Sequence, residues 1–334
     1  MSKTRGFLLG KFMPPHEGHL FMCDVASELV DELTVLICTR DCEPINGTLR
    51  LEWMKESVKS NVQIVRHHRD IPQEPSEHPD FWHIWRETIH KLHPESIDMV
   101  FGSEDYVNRL ATELDAEPFI VDKDRTMVPV SSTLVRDDPQ GCWEYIPKAV
   151  RHYYQKRICL LGPESTGKSE LSQILAKEFG TKYIPEYGRT YDATFKQGKN
   201  WEASDFTAIA EGHQALQKQI AQRSGYVYFE DTDILQTAVW SEYLLGSIPD
   251  ELITLMRNWD FADFYLLLKP DIVWVDDGTR YSGDPEVRDW FFRNLRSLLF
   301  RQKITFKIVD GTDWLSRGNL ANAQVDMFLR GLPS

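Results

Sequence analysis

Residues Gly162-Pro163-Glu164-Ser165-Thr166-Gly167-Lys168-Ser169 satisfy the spacing G-x-x-x-x-G-K-S/T at every position. They follow the apolar run Arg157-Ile158-Cys159-Leu160-Leu161 and precede a helical pattern from Ser169 to Phe179. A strand, a glycine turn and a helix in that order admit few folds, chiefly an open parallel sheet with its ligands at the carboxyl edge. The spacing also has a chemical reason. Gly162 and Gly167 let the chain wrap so that the N–H groups of Glu164, Ser165 and Thr166 converge on phosphate oxygens at a helix N-terminus. Lys168 would then reach the β- and γ-phosphates of ATP, and Ser169 would ligate Mg2+.

The rest of the second half narrows the chemistry. Tyr226-Val227-Tyr228-Phe229 reads as a buried strand ending in Glu230-Asp231-Thr232-Asp233. Of Asp231 and Asp233, one would hold Mg2+ through water and the other would accept the proton of an attacking hydroxyl; which does which is left open. Glu186-Tyr187-Gly188-Arg189 follows the short strand Lys182-Tyr183-Ile184, so Glu186 and Arg189 would grip a substrate at the same edge. The glycine-rich stretch Asp277 to Arg288 reads as a lid, with Arg280 and Arg288 neutralising developing charge. With no N-K-x-D guanine signal, a kinase for a small hydroxyl substrate is favoured.

The first half shares the strand–loop–helix entry. Phe7-Leu8-Leu9 leads into Gly10-Lys11-Phe12-Met13-Pro14-Pro15-His16-Glu17-Gly18-His19. Two imidazoles flanking a glycine, beside free helix N–H groups, suit a pentacovalent phosphorus and departing pyrophosphate. No carboxylate or cysteine stands at zinc spacing beside them. Downstream, Val130-Ser131-Ser132-Thr133-Leu134-Val135-Arg136 closes a strand-like stretch and opens a helix, offering hydroxyls and N–H groups as a second phosphate cradle with Arg136 one turn along. Further strands are expected at Leu33–Cys38, Val62–Arg66, Met99–Phe101, Pro118–Val121, Phe264–Leu268 and Thr305–Val309, with helices between. His67-His68 to His78, among prolines, reads as a solvated loop. The boundary is expected near 137–156, with domains 1–150 and 151–334 and a connector helix after Pro147.

Charge excludes some partners. With 38 basic and 51 acidic residues the net is -13, a poor match to nucleic acid or anionic lipid. Five cysteines without a C-x-x-C pair read as reduced thiols, and no apolar run is long enough to span a bilayer. A cytoplasmic protein is expected, with no membrane insertion and no nucleic-acid partner; a homo-oligomer is compatible with the sequence.

Taken together, the first-half motifs resemble the HxGH/ISSTxxR nucleotidyltransferase superfamily, in particular adenylyltransferases acting on nicotinamide mononucleotide. Their fusion to a P-loop kinase resembles the bifunctional NadR family across about residues 5–330. The resemblance implies an α/β protein of two domains, a Rossmann-like nucleotidyltransferase fold and a P-loop kinase fold, both with parallel sheets. It implies two ATP-dependent reactions with Mg2+: phosphorylation of ribosylnicotinamide, then adenylylation of nicotinamide mononucleotide to NAD and pyrophosphate. It places Gly102 and Asp105 near the adenosine, Gly10, Phe12, Gly18, Ser131, Ser132 and Thr133 around the nucleotide, Arg50 on nucleotide, and Trp82 or Trp85 against the nicotinamide ring. In the kinase half it places Thr312 and Arg317 on the adenine-side loop. Some family members carry an N-terminal helix-turn-helix repressor domain; only Met1 to Arg5 precede the first strand here, so DNA binding is not expected. The rival readings are a phosphopantetheine adenylyltransferase fused to a dephospho-coenzyme A kinase, and a nucleotide-sensing regulator with weak turnover.

Overall fold

In a computed structural model, residues 3–274 and 283–332 are described. Arg280 lies outside the described residues. The chain divides into two compact units, residues 1–154 and 155–334.

The first unit holds strands β1 (Arg5–Gly10), β2 (Glu32–Thr39), β3 (Val62–His68), β4 (Met99–Gly102) and β5 (Glu117–Ile120). They form one parallel sheet in the order β3-β2-β1-β4-β5. Helices α1 (Glu17–Leu29), α2 (Gly47–Ser57), α3 (Phe81–Leu92), α4 (Tyr106–Glu113), α5 (Ser132–Asp137) and α6 (Lys148–Tyr154) complete it. From Leu33 to Thr39, β2 is buried at every residue, which is why it reads as an unbroken apolar run rather than an alternating one. Strand order reverses direction at β1 and β4, so a crevice opens beyond their carboxyl ends. The Gly10–His19 loop leaves β1 at that point, and Gly102 ends β4 beside it.

Two expectations shift. The unit ends later than residue 150 because α6 packs Val150 into a cluster with Ile45, Trp53, Val135 and Ile146; this helix belongs to the first unit's core. His67 and His68 are not loop residues: β3 runs on to pair Cys38 with His67 and Thr39 with His68. Backbone pairing there outweighs polar composition.

The second unit holds β6 (Lys156–Leu161), β7 (Tyr183–Ile184), β8 (Val227–Asp231), β9 (Phe264–Leu268) and β10 (Phe306–Val309), again all parallel, in the order β10-β9-β6-β8-β7. Its helices are α7 (Lys168–Glu178), α8 (Tyr187–Tyr191), α9 (Ala203–Ala221), α10 (Ile234–Leu245), α11 (Asp250–Arg257), α12 (Pro285–Arg301) and α13 (Trp314–Leu329). Both faces of the sheet are covered: Cys159, Leu161, Tyr265 and Leu267 pack towards one set of helices, and Ile158, Leu160, Phe229 and Leu266 towards the other. Strand β6 is central, with β8 and β9 as neighbours, so the loop after β6 and the acidic end of β8 meet at one edge. Among the described residues, no helix is long and apolar enough to cross a membrane.

Candidate active sites

In the second unit the loop Gly162–Ser169 closes tightly on itself. Gly167 precedes α7 at φ +86°, a left-handed conformation that favours glycine. A β-carbon there would overlap the Trp314 ring, and one on Gly162 would come within 2.8 Å of the Leu268 carbonyl. Buried Lys168 donates from Nζ to the carbonyls of Gly162 and Pro163 at 2.8 and 3.0 Å. The Thr166 hydroxyl donates to Pro163 O at 2.8 Å, bracing the loop from within. The loop's lysine thus rests on the backbone turn that would carry the phosphates.

Beside it, the Ser169 hydroxyl faces the Asp231 carboxylate at the end of β8 and favours its charged form. Burial, and then the negative charge of Glu186, push Asp231 up to about 6, against the pull of Lys168. Its Oδ1 is buried without a hydrogen-bond partner. A hydroxyl and a carboxylate with an unsatisfied buried oxygen are hard donors suited to Mg2+, which takes one or two protein oxygens and completes its shell with phosphate and water. The loop lies on a cavity of about 640 Å³. Glu164 and Ser165 line it from the loop, Glu186 and Arg189 from the start of α8, and Trp201, Phe206, Trp240 and Leu244 form an apolar wall. Glu186 and Arg189 are 3.6 Å apart.

In the first unit, His16 caps the start of α1 and His19 lies one turn on. Their rings stack, with centroids 3.7 Å apart and planes at 24°. The His16 backbone N–H donates to His19 Nδ1 at 3.3 Å, so a neutral His19 carries its proton on Nε2. Burial lowers His16 to about 4, with help from the Arg125 guanidinium. Burial also holds His19 well below the usual range, followed by His16 and Arg125. Two neutral imidazoles therefore stand at the switch point. Gly18 keeps them close, since a β-carbon there would sit 3.1 Å from His16 Nδ1.

The downstream motif is a clasp on this loop. Ser132 Oγ donates to the Pro14 carbonyl at 2.9 Å, and the Arg136 guanidinium donates to the Met13 carbonyl and to Thr133 Oγ1. Ser131 caps α5 by accepting the Leu134 N–H at 3.1 Å. Motifs more than a hundred residues apart are joined by these bonds.

A cytidylyltransferase-like family model matches residues 7–138, and an AAA domain model matches residues 157–317. The trifunctional NAD biosynthesis/regulator protein NadR of Escherichia coli (strain K12) is 30% identical over 94% of this chain and 81% of its own length. The chain belongs to the NadR family. The Salmonella typhimurium NadR is 29% identical over the same shares. Two crystal structures of a NadR protein, one with NAD and AMP-PNP and one with NR, match with a TM-score of 0.76 at 21% identity, covering all of this chain and 98% of theirs.

Within this NadR-family chain, several expected ligand contacts are corrected by burial. Arg50 has no exposed surface; it donates to the Lys11 and Cys38 carbonyls and pairs with Glu43. It therefore holds the start of the histidine loop instead of touching nucleotide. Phe12 is buried and tilts against His19 at 4.8 Å, so its side chain supports the imidazole. Trp85 is core, with Nε1 donating to Pro72 O at 2.8 Å. Trp82 is partly exposed, with Arg109 5.9 Å from its ring centre. Asp233 is not available as a base: Oδ1 caps α10 through the Leu235 N–H, and Oδ2 accepts the Tyr265 hydroxyl at 2.5 Å. Arg317 is buried, donating to the carbonyls of Thr166, Lys269 and Gly311 at 3.0 Å and pairing with Asp271; its guanidinium is committed to bracing the phosphate loop. Arg288 is buried too, with both terminal nitrogens on the Ile272 carbonyl.

Other expected positions lie at the surface or on backbone. Asp105 is exposed and paired with Lys123 at 2.5 Å, Thr312 is exposed, and Gly102 is close-packed, where a β-carbon would meet Val107. Gly10 adjoins the Phe12 ring. Three features were not anticipated from sequence: Arg125 within electrostatic reach of the histidines, the aromatic wall of Trp201, Phe206 and Trp240, and Trp314 against the phosphate loop. Arg125 had a readable signal. Asp122 accepts the N–H groups of Thr126, Met127 and Val128, a side-chain-organised turn that presents the residue at its tip.

Proposed function

We propose that this chain makes NAD in two ATP-dependent steps. The second unit transfers the γ-phosphoryl group of ATP to the 5′-hydroxyl of ribosylnicotinamide. The first unit lets the phosphate of nicotinamide mononucleotide attack the α-phosphorus of a second ATP, and pyrophosphate leaves. The observation that carries the kinase half is the convergence, in one cavity, of the phosphate loop with its Ser169 and an aromatic wall, with the Asp231 carboxylate buried behind Ser169. A pyridinium is a flat cation, and aromatic faces together with the carboxylates of Glu164 and Glu186 suit it.

In this reading Lys168 leaves the Gly162 and Pro163 carbonyls for the β- and γ-phosphates. Ser169 and Asp231 hold Mg2+, which neutralises phosphate charge when bound. Glu186, facing the cavity, takes the role of proton acceptor that Asp233 cannot fill, and Arg189 orients it. In the first unit neutral His19 donates from Nε2 to the reacting phosphate, His16 does the same from the stacked ring, and Arg125 adds positive charge for the pyrophosphate. A nucleic-acid partner is not part of this proposal, because the net charge of -13 disfavours one.

The test is product identification. The purified chain is incubated with Mg-ATP and either ribosylnicotinamide or dephospho-coenzyme A, and products are read by mass. Nicotinamide mononucleotide followed by NAD is expected from the first substrate, and no coenzyme A from the second. Coenzyme A, or no product from either, refutes the proposal.

A further inference from the structure

The aromatic wall of the cavity depends on a segment with unusual backbone. Helix α8 runs directly into a π-helical turn, Asp192–Lys196, followed by Gln197 at φ +47° and Gly198 at φ +85°. The π turn is wider than an α turn, and such turns concentrate at functional sites. Here it brings Lys196 inward. The side chain is only 9% exposed, with Nζ 2.6 Å from Asp205 Oδ2 and 5.4 Å from the centre of the Trp201 ring. Asp205 is tied three ways: it also accepts the Glu202 N–H at 2.7 Å, forming the N-terminal capping box of α9, and the Tyr191 hydroxyl at 3.0 Å. Residues 197–204, which carry Trp201, are thus clamped at both ends by one ion pair. Trp201 itself lies between Lys196 and Phe206, whose ring centre is 5.3 Å away.

We propose that the Lys196–Asp205 pair is a positioning device that sets the nucleoside end of the cavity and so determines which nucleosides the kinase accepts. The inference rests on the kinase reading above and deepens it. Neither residue of the pair lines the cavity. The pair fixes Trp201 in the cavity wall and, through Tyr191, meets the last residue of α8. A buried ammonium and carboxylate cost desolvation that their mutual contact largely offsets, so removing the ammonium leaves the carboxylate with only the Glu202 N–H and the Tyr191 hydroxyl and should loosen the loop.

The experiment compares three variants with the parent in steady-state phosphorylation of ribosylnicotinamide. Lys196→Met keeps the aliphatic stem against Trp201 and removes the charge; Lys196→Arg keeps a cation; Lys196→Met/Asp205→Asn leaves no lone buried carboxylate. Lys196→Met should raise the nucleoside KM about tenfold, with kcat and the ATP KM within about threefold, and Lys196→Arg should recover most of the loss. If Lys196→Met does not fold, the double variant decides by the same comparison. A folded charge-free variant with the parent's nucleoside KM overturns the inference, as does an equal loss in kcat and both KM values. A parent that does not phosphorylate the nucleoside instead refutes the kinase reading, and this inference with it.

Discussion

Replacing Lys168 with alanine separates the two units chemically. The ammonium is buried and bonded to two loop carbonyls. Its removal takes that donor from Gly162 O, while Pro163 O keeps the Thr166 hydroxyl, so a single group left unsatisfied costs about 1–3 kcal/mol. That is below the usual 5–15 kcal/mol stability of a domain, so the second unit should stay folded. The catalytic loss is larger. A charge-assisted donor on the transferring phosphoryl group is worth roughly 10²–10³ in rate, or about 3–4 kcal/mol. Ribosylnicotinamide phosphorylation by Lys168→Ala should therefore fall at least that far, while NAD formation from supplied mononucleotide stays within a few-fold of the parent. The two are measured on one preparation, the first by mononucleotide formation and the second by pyrophosphate release, with circular dichroism as the folding control. Loss of both activities in a folded variant would refute the division of labour.

The transferase and its acid response give two further tests. His19→Ala should lower NAD formation by roughly 10²–10³-fold and change the affinity for mononucleotide little; a variant that keeps its rate but binds mononucleotide poorly would place His19 in recognition. For pH, His16 titrates near 6.5 unfolded and about 4 folded, so between those values the unfolded chain binds a proton the folded first unit does not, and stability drops as pH falls. The size is about 3 kcal/mol at pH 4 or below. His16→Asn should flatten this dependence, measured by amide exchange in β1, β2 and β4. Asp231 and Asp233, both raised to about 6, act in the opposite sense in the second unit, so parallel acid profiles for the two units, unaffected by His16→Asn, would contradict the assignment.

The strands were legible because burial on both faces leaves a simple mark. Runs such as Leu33 to Cys38 and Phe264 to Leu268 are apolar at nearly every position, and a parallel sheet covered by helices demands that. The two phosphate motifs were legible because their spacing is itself the geometry: Gly167 cannot carry a β-carbon beside Trp314, and Gly18 cannot without crowding His16. The cavity wall was not legible. Trp201, Phe206 and Trp240 come from a loop and two helices, and helical period says which face is apolar without saying which end meets the sheet's carboxyl edge. The π turn was invisible for a related reason. Its effect, turning Lys196 inward, is a one-residue change of phase that no pattern of polar and apolar residues records.

The arginines show a deeper reason why motif reading overstates ligand contacts. A loop that cradles phosphate spends its N–H groups on the ligand and leaves carbonyls without partners, because it makes no regular secondary structure. Those carbonyls need donors from elsewhere, and a guanidinium offers five in a fixed fork. Arg50 serves Lys11 and Cys38, Arg136 serves Met13, and Arg317 serves Thr166, Lys269 and Gly311. Each phosphate loop of the chain is thus braced by an arginine distant in sequence, and Asp233 plays a comparable part by capping α10 next to Asp231. In sequence such residues look like ligands of the anion, since they sit near phosphate motifs and carry the right charge. For Arg50 and Arg317 burial decides otherwise: a guanidinium with almost no exposed surface shapes the site from behind. An Arg→Lys exchange at Arg50 or Arg317 keeps the charge yet loses the fork, so what distinguishes a brace from a ligand is the number of carbonyls served.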